Sequence, residues 1–261
     1  MRSLSIAATG MLAQQLNVEV ISNNIANINT TGYKRQRAEF QDLLYQDLLR
    51  AGTNSSGAGT VVPSGIQIGL GVKPAAVYRI TEQGNLIITD NSLDLAINGK
   101  GLFAVELPSG ETGYTRSGAL GRSASGDLVT ANGFIVQPGI TIPDAAIDIT
   151  INAEGEVFVK IDGQTAPQSV GQFQLANFPN EAGLQAIGDN LFLETTASGL
   201  ATLGTPGAAG FGAIQQGALE TSNVNVVTEI TNLITAQRAY EMNSRVIQAS
   251  DEMLSSVVQL R

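Results

Sequence analysis

The sequence predicts an α+β fold: long N- and C-terminal helices that pair as a coiled coil, with a mainly antiparallel β middle domain. Three observations carry the prediction. Apolar residues recur at helical spacing over both ends of the 261-residue chain, and the period changes to two near Ser92. Between these regimes, "AGTNSSGAGTVVPSG" at 51–65 has no period and the composition of a linker. The expected division is a terminal helical domain over 1–50 and 219–261, an extended connector over 51–92 and a β domain over 93–218.

The first helix is expected from Ser3 to Ile28. Leu4, Met11, Val18 and Ile25 step by seven, with Ala7, Ile21 and Ile28 in the companion register and Gln14 as the polar break. Leu12, Leu16 and Val20 step by four along roughly the opposite side, close to Ile6. A helix lying on one core needs a single apolar stripe, and this one has two. The segment closes on "SNNIANINTTGYKR", 22–35, where asparagine competes with the helix for backbone hydrogen bonds. Gly32 or Asn29 is expected to supply the left-handed turn that ends it. Lys34, Arg35 and Arg37 then either offset the helix dipole or meet an acidic neighbouring subunit.

"RQRAEFQDLLYQDLLR" sets Phe40, Leu43, Leu44 and Leu48 at helical spacing, so a further helical stretch is expected there. Beyond the linker, "LDLAIN" alternates Leu93, Leu95 and Ile97 with Asp94, Ala96 and Asn98. "IDITINAEGEVFVKIDG" predicts a hairpin turning at Glu154-Gly155, and "LVTANGFIVQP" another at Asn132-Gly133. Such strands build a small barrel or a sandwich. In the last segment, Ser222, Asn223 or Asn225 can cap a helix with Glu229 in its first turn. Val226, Leu233, Tyr240, Ile247 and Leu254 recur every seven residues, and Ala239, Val246, Met253 and Leu260 form a second series. The two helices would be roughly 40 and 50 Å long. Pairing uses one stripe on each. The remaining stripes either pack on the β domain or mark association with other copies.

Composition narrows the function. The chain has no cysteine and no histidine, which removes disulfides, thiolate metal sites and the usual general base. Net charge is −9, concentrated on the middle, with no basic face of the kind nucleic acid requires. No run approaches a membrane span, and "MRSLSIAATGMLAQQ" is too interrupted for the core of a cleaved signal. Gly69-x-Gly71 lacks a third glycine, and the calcium-like start Asp90, Ser92, Asp94 continues with Leu95 and Gly101 where glycine and glutamate belong. Glu154 with Glu156, and Asp144 with Asp148, are the carboxylate pairs left for hydrolytic chemistry. No catalytic, cofactor or metal residue is expected.

The ends resemble a known family. Asn23, Asn24, Ala26, Asn27, Thr30, Gly32, Tyr33 and Lys34 match the Asn-Asn-x-Ala-Asn-x-x-Thr-x-Gly-Tyr-Lys signature of the bacterial flagellar axial proteins, the rod and hook family. Ser222-Asn223-Val224 and Gln237-Arg238-Ala239-Tyr240-Glu241 are similar to its C-terminal signature. "LDLAINGKGLFAV" and "GYTRSGAL" resemble its β domain, with Leu102 where phenylalanine is more usual. "PSGIQIGLGVKP", 63–74, is most similar to rod members.

The resemblance implies a structural subunit, not an enzyme. It would be exported by the flagellar export apparatus without signal cleavage and polymerise helically with copies of itself. Its neighbours would be proximal rod proteins, the hook protein, and the P-ring and L-ring, along a rod running from periplasm to outer membrane. The expected subunit-interface residues are Leu4, Met11, Leu12, Leu16, Val18, Val20, Ile21, Asn23, Asn24, Ile25, Asn27 and Ile28 on the first helix. Leu233, Tyr240, Val246, Ile247, Met253 and Leu254 are their counterparts on the last. Asn23, Asn24 and Asn27 lie between the two stripes, where they would fix register across subunits. Rival readings are a proximal rod or hook component, a peptidoglycan-cleaving carboxylate enzyme, and a cell-surface binding module.

Overall fold

A computed structural model describes residues 2–49, 64–162 and 166–259. They form two compact units: Met1–Ile25, Gln36–Tyr78 and Asn225–Arg261 in one, Ala26–Arg35 and Arg79–Val224 in the other. The linker read at 51–65 lies mostly outside the described residues, as does Leu260.

The first unit holds helix α1 (Arg2–Ala26), strands β1 (Gln36–Asp42), β2 (Tyr45–Leu49), β3 (Ile66–Gly69) and β4 (Val72–Arg79), and helix α2 (Val226–Gln259). Strand β1 pairs with β4, and β2 with β3 in antiparallel register. The helical stretch expected over 36–49 is therefore strand. Alternate residues of β1 are half-buried and exposed, a period of two. Phe40, Leu43, Leu44 and Leu48 mimic helical spacing, yet Leu44 and Leu48 are exposed and form no buried helix face. Residues 66–79, read as connector, are the paired partners of that ribbon.

The buried residues of α1 come from both stripes and the side between them: Ala7 and Ile21 from the first, Val20 from the second, and Ala13 and Asn24 from neither. Small residues there permit close approach. A side chain on Gly10 would begin 2.8 Å from Nδ2 of Asn243 on α2. The Thr9 hydroxyl donates to the Ile6 carbonyl at 2.8 Å and accepts from the Val72 N–H at 3.4 Å. Helix α2 starts at Asn225, whose side-chain oxygen accepts the Thr228 N–H at 3.2 Å, which selects one N-cap from the three candidates.

The second unit begins with the turn that follows α1. Gly32 adopts φ +69°, so the glycine rather than Asn29 makes the left-handed turn. Its strands are β5 (Leu86–Ile88), β6 (Leu95–Asn98), β7 (Leu102–Glu106), β8 (Thr112–Thr115), β9 (Leu120–Arg122), β10 (Leu128–Thr130), β11 (Ile135–Val136) and β12 (Ala146–Ile151). They continue as β13 (Glu156–Ile161), β14 (Gln168–Gln172), β15 (Leu175–Asn177), β16 (Gln185–Gly188), β17 (Leu191–Leu193), β18 (Thr202–Gly204), β19 (Ala213–Gln216) and β20 (Ala218–Glu220). A nine-stranded sheet runs β16-β17-β8-β7-β11-β10-β9, with β15 bridging β7 and β18. Beside it lie the meander β12-β13-β14 and the antiparallel pairs β6–β19 and β5–β20.

Strand β7 shows how the sheet is held. Phe103 and Val105 point into the main core with Leu128, Ile140, Val157 and Phe173, while Ala104 faces a second cluster of Tyr114, Ala176, Phe178 and Leu184. Leu102 packs against that second cluster, where the smaller side chain is accommodated beside Phe192. Edge-on ring pairs seal both sides, Phe103 with Phe173 at 6.1 Å and Tyr114 with Phe178 at 4.8 Å. Both expected hairpins form. Ile151 lies opposite Val157 and Ile149 opposite Val159, with a register shift after Ala146 that leaves Ile147 exposed. Val129 lies opposite Ile135 across the Asn132-Gly133 turn. The alternation expected in "LDLAIN" is absent, because Asp94 to Ile97 are all buried under further structure on both sides.

Candidate functional site

Within the helical unit, the residues expected at subunit contacts divide by exposure. Val20, Ile21 and Asn24 are buried inside the unit. Leu4, Met11, Leu16, Val18, Ile25, Leu233, Ile247 and Leu254 are half-buried. Asn23 is exposed, and so are Leu12 at 66%, Tyr240 at 45%, Val246 at 46% and Met253 at 61%. On α2 the exposed apolar surface extends through Val227, Ile230, Ile234 and Met242. Asn27 and Ile28 fall in the β unit, half-buried, and the Asn27 side-chain oxygen accepts the Thr30 hydroxyl at 3.1 Å.

Asn24, expected to fix register across subunits, is engaged within its own chain. Its side chain is 1% exposed, and its amide embraces the backbone of one residue of β1: Nδ2 donates to the Gln36 carbonyl and Oδ1 accepts the Gln36 N–H, each at 2.8 Å. Nδ2 also lies 3.3 Å from the buried carboxylate of Glu229. The amide thus does for β1 what a neighbouring strand would do, and braces the subunit internally.

On α2 the heptad series Leu233, Tyr240, Ile247, Leu254 runs beside one that the apolar pattern could not reveal: Glu229, Ala236, Asn243 and Ser250. Three of these four are buried, and Asn243 meets Gly10. The Ser250 hydroxyl lies 3.3 Å from that of Ser3. Polar and small residues thus carry the contact between the helices, while larger apolar groups flank it. An open groove lined by Gln15, Val18, Glu19, Gln237, Tyr240 and Glu241 lies alongside.

In the β unit, the signature segments converge on Glu220. Its carboxylate is 1% exposed and receives Lys34 Nζ at 2.6 Å, Arg116 Nε at 2.5 Å and the Gly84 N–H at 2.8 Å. Lys34 also donates to the Glu82 carbonyl at 2.8 Å, and the Gly32 N–H donates to the Glu220 carbonyl at 2.8 Å. Arg116 completes its fork on the carbonyls of Gly101, Ile97 and Gly99. Three residues after Glu220, the Asn223 oxygen accepts the Arg35 N–H at 2.7 Å while its NH2 donates to the Ile80 and Glu82 carbonyls at 2.9 Å. Burial pushes the Glu220 carboxyl up, but the charges of Arg116 and Lys34 and the hydrogen bonds outweigh it, holding the group below its ordinary range. Burial pushes Lys34 down more strongly than Glu220 pulls it up.

Lys34 therefore neither offsets a helix dipole nor waits for an acidic neighbour; its partner is a glutamate 186 positions later in the same chain. Arg37 is different, pairing with Glu39 at 3.1 Å and with the Tyr78 hydroxyl. The one sign of Glu220 in the sequence was its place just ahead of the Ser222-Asn223-Val224 signature. Of the carboxylates weighed for catalysis, Glu154, Asp144 and Asp148 are exposed, and Glu156 receives the Asn152 amide at 3.2 Å. Asp94 accepts from Thr89 at 2.7 Å and Asn91 at 3.0 Å and closes a turn.

Three family models match along the chain: residues 4–34 the flagella basal body rod protein, residues 96–159 the flagellar hook protein FlgE/F/G D1 domain, and residues 215–260 the flagellar basal body rod FlgEFG protein C-terminal region. The chain is 64% identical over 261 residues to the flagellar basal-body rod protein FlgG of Caulobacter vibrioides, covering 100% of both. It is 55% identical to FlgG of Agrobacterium fabrum over 98% of each chain, and 38% identical to FlgG of Bacillus subtilis over 100% of this chain and 99% of that one. With both ends, the β region and the whole length matching, the chain belongs to the FlgG family of flagellar basal-body rod proteins, structural components of the flagellum.

Proposed function

We propose that the chain is a subunit of the distal rod that polymerises helically into a rigid drive shaft and transmits torque to the hook. The observation that carries the reading is the surface of the terminal helices. Leu12 on α1 and Val227, Met242, Val246 and Met253 on α2 lie exposed along elements whose polar seam is already used within the chain. Exposed apolar area distributed along a helix marks association. In this reading α1 and α2 pair as a coiled coil through Gly10–Asn243 and Ser3–Ser250, and the remaining apolar side chains meet other copies. Val20, Ile21 and Asn24 support the interface from inside.

The neighbours along the axis are proximal rod proteins and the hook protein. The P-ring and L-ring surround the shaft between periplasm and outer membrane, and the subunit arrives through the flagellar export apparatus without a cleaved signal. No substrate, nucleic acid or cofactor enters this role. Electron microscopy of the concentrated purified chain tests it: straight rods are expected from the intact chain and none from a chain lacking residues 1–28. Persistent monomers of the intact chain at high concentration would overturn the reading.

A further inference from the structure

A cleft in the β unit gathers four cations, Lys34, Arg79, Lys100 and Arg116, with Glu181 as the acid on its wall. Lys34 and Arg116 share the single carboxylate of Glu220 beneath them, so the cleft keeps an excess of positive charge. Arg79 stands apart from that arrangement. It donates to the Leu184 carbonyl and lies over the Phe192 ring, 4.6 Å from guanidinium carbon to ring centre. Among the described residues no carboxylate pairs with it. Burial pushes its pKa down more strongly than the nearby Tyr33 pulls it up. Lys100 is exposed and free to follow a ligand.

We propose that this cleft receives a carboxylate side chain, aspartate or glutamate, from a neighbouring copy of the chain. A guanidinium fork already oriented by one carbonyl and one ring suits a planar carboxylate better than a spherical anion. Phe192 and Leu184 offer apolar wall for the methylene stem of such a side chain. Charge complementarity selects the occupant: this is an electropositive recess on a chain of net charge −9, and the copies most concentrated around it carry exposed acids such as Asp148, Asp251 and Glu252. The inference rests on the rod reading, because it needs copies in contact.

The test mixes 14N- and 15N-labelled full chains, lets them assemble, and treats them with a carbodiimide. The reagent joins an amine directly to a carboxylate, forming an amide as the elements of water are taken up by the reagent. Lys100 should be found joined to aspartate or glutamate of the other isotope, and Arg79→Gln should lower that yield about ten-fold, as loss of a charged hydrogen-bonding pair implies. Lys100→Gln, an exposed change, should raise the concentration needed for assembly while leaving thermal unfolding of the β unit unchanged. Lys100 joined only to Glu181 of its own chain, or unaltered assembly of both variants, would overturn the proposal with rods still present. Failure of the intact chain to assemble would instead sink the rod reading. The cleft is then judged by titrating the monomer with glutarate: amide shifts confined to residues 79 and 99–101 support a carboxylate site, and none, or equal shifts with sulfate, count against it.

Discussion

The β unit and the helical unit use the same kinds of residue to opposite ends. In the β unit the large apolar side chains converge on themselves: Phe103, Val105, Leu128, Val157, Phe173 and Leu175 are withdrawn completely from solvent. In the helical unit the deepest positions are alanines, an asparagine, a serine, a glutamate and one large apolar residue, Ile21, while Leu12, Met242 and Met253 face out. The first arrangement is complete in one chain. The second places modest residues where the helices touch and leaves several large apolar side chains exposed. In the rod reading proposed above, burial would separate folding from assembly along a single sequence.

The comparison breaks first at Glu220, the buried carboxylate that Lys34 and Arg116 share. Glu220→Ala leaves Lys34 and Arg116 buried without their carboxylate and should destabilise the β unit by about 3–5 kcal/mol. Urea unfolding of the purified monomer measures it, and a loss below one kcal/mol would make the cluster an ornament of the fold. The same group predicts a pH response. Its folded pKa lies below the ordinary 4.5, so its stabilisation is present above that value and is lost as pH falls through the folded pKa. Acid unfolding of the wild type should therefore show a limb below about pH 4.5 that is shallower in Glu220→Gln.

Asn24 sharpens the comparison from the other unit. Asn24→Ala removes the side-chain partner of both the Gln36 N–H and the Gln36 carbonyl, a loss of about 1–3 kcal/mol. Hydrogen exchange should show the Gln36 amide losing protection while the amides of β7 keep theirs. A larger residue at the seam gives a smaller effect: Ala236→Leu overpacks a 2%-exposed site and should cost about 1–2 kcal/mol of helical-unit stability.

What the sequence made legible follows the same division. The hairpins at 147–161 and 128–136 could be read because alternation and a turn glycine are local signals. The strands over 36–49 could not, since their helical spacing of leucines is local while the pairing of β1 with β4 and the grip of Asn24 are made with distant residues. Apolar periodicity located both helices but missed the seam through Glu229, Ala236, Asn243 and Ser250, because a search for large hydrophobic residues is blind to contacts made by small and polar ones. The family signatures named Lys34, Gly32 and Asn223 without their reasons, which lie in hydrogen bonds spanning most of the chain.

The smallest expected effect on the monomer is the most informative for function. Leu12→Ser, Val246→Ser and Met253→Ser replace exposed side chains, so each should change monomer stability by less than about 0.5 kcal/mol. In an assembled rod the same positions would be covered, and each substitution then forfeits about 1.5–3 kcal/mol of burial per contact. Because every subunit repeats the loss, assembly should fail in the triple variant although thermal unfolding of the dilute protein is unchanged. Sedimentation at rising concentration, read beside the melting curve, separates the two. A triple variant that assembles normally would mean that these faces stay exposed in the polymer, and the contacts between copies would have to be sought on the β unit instead.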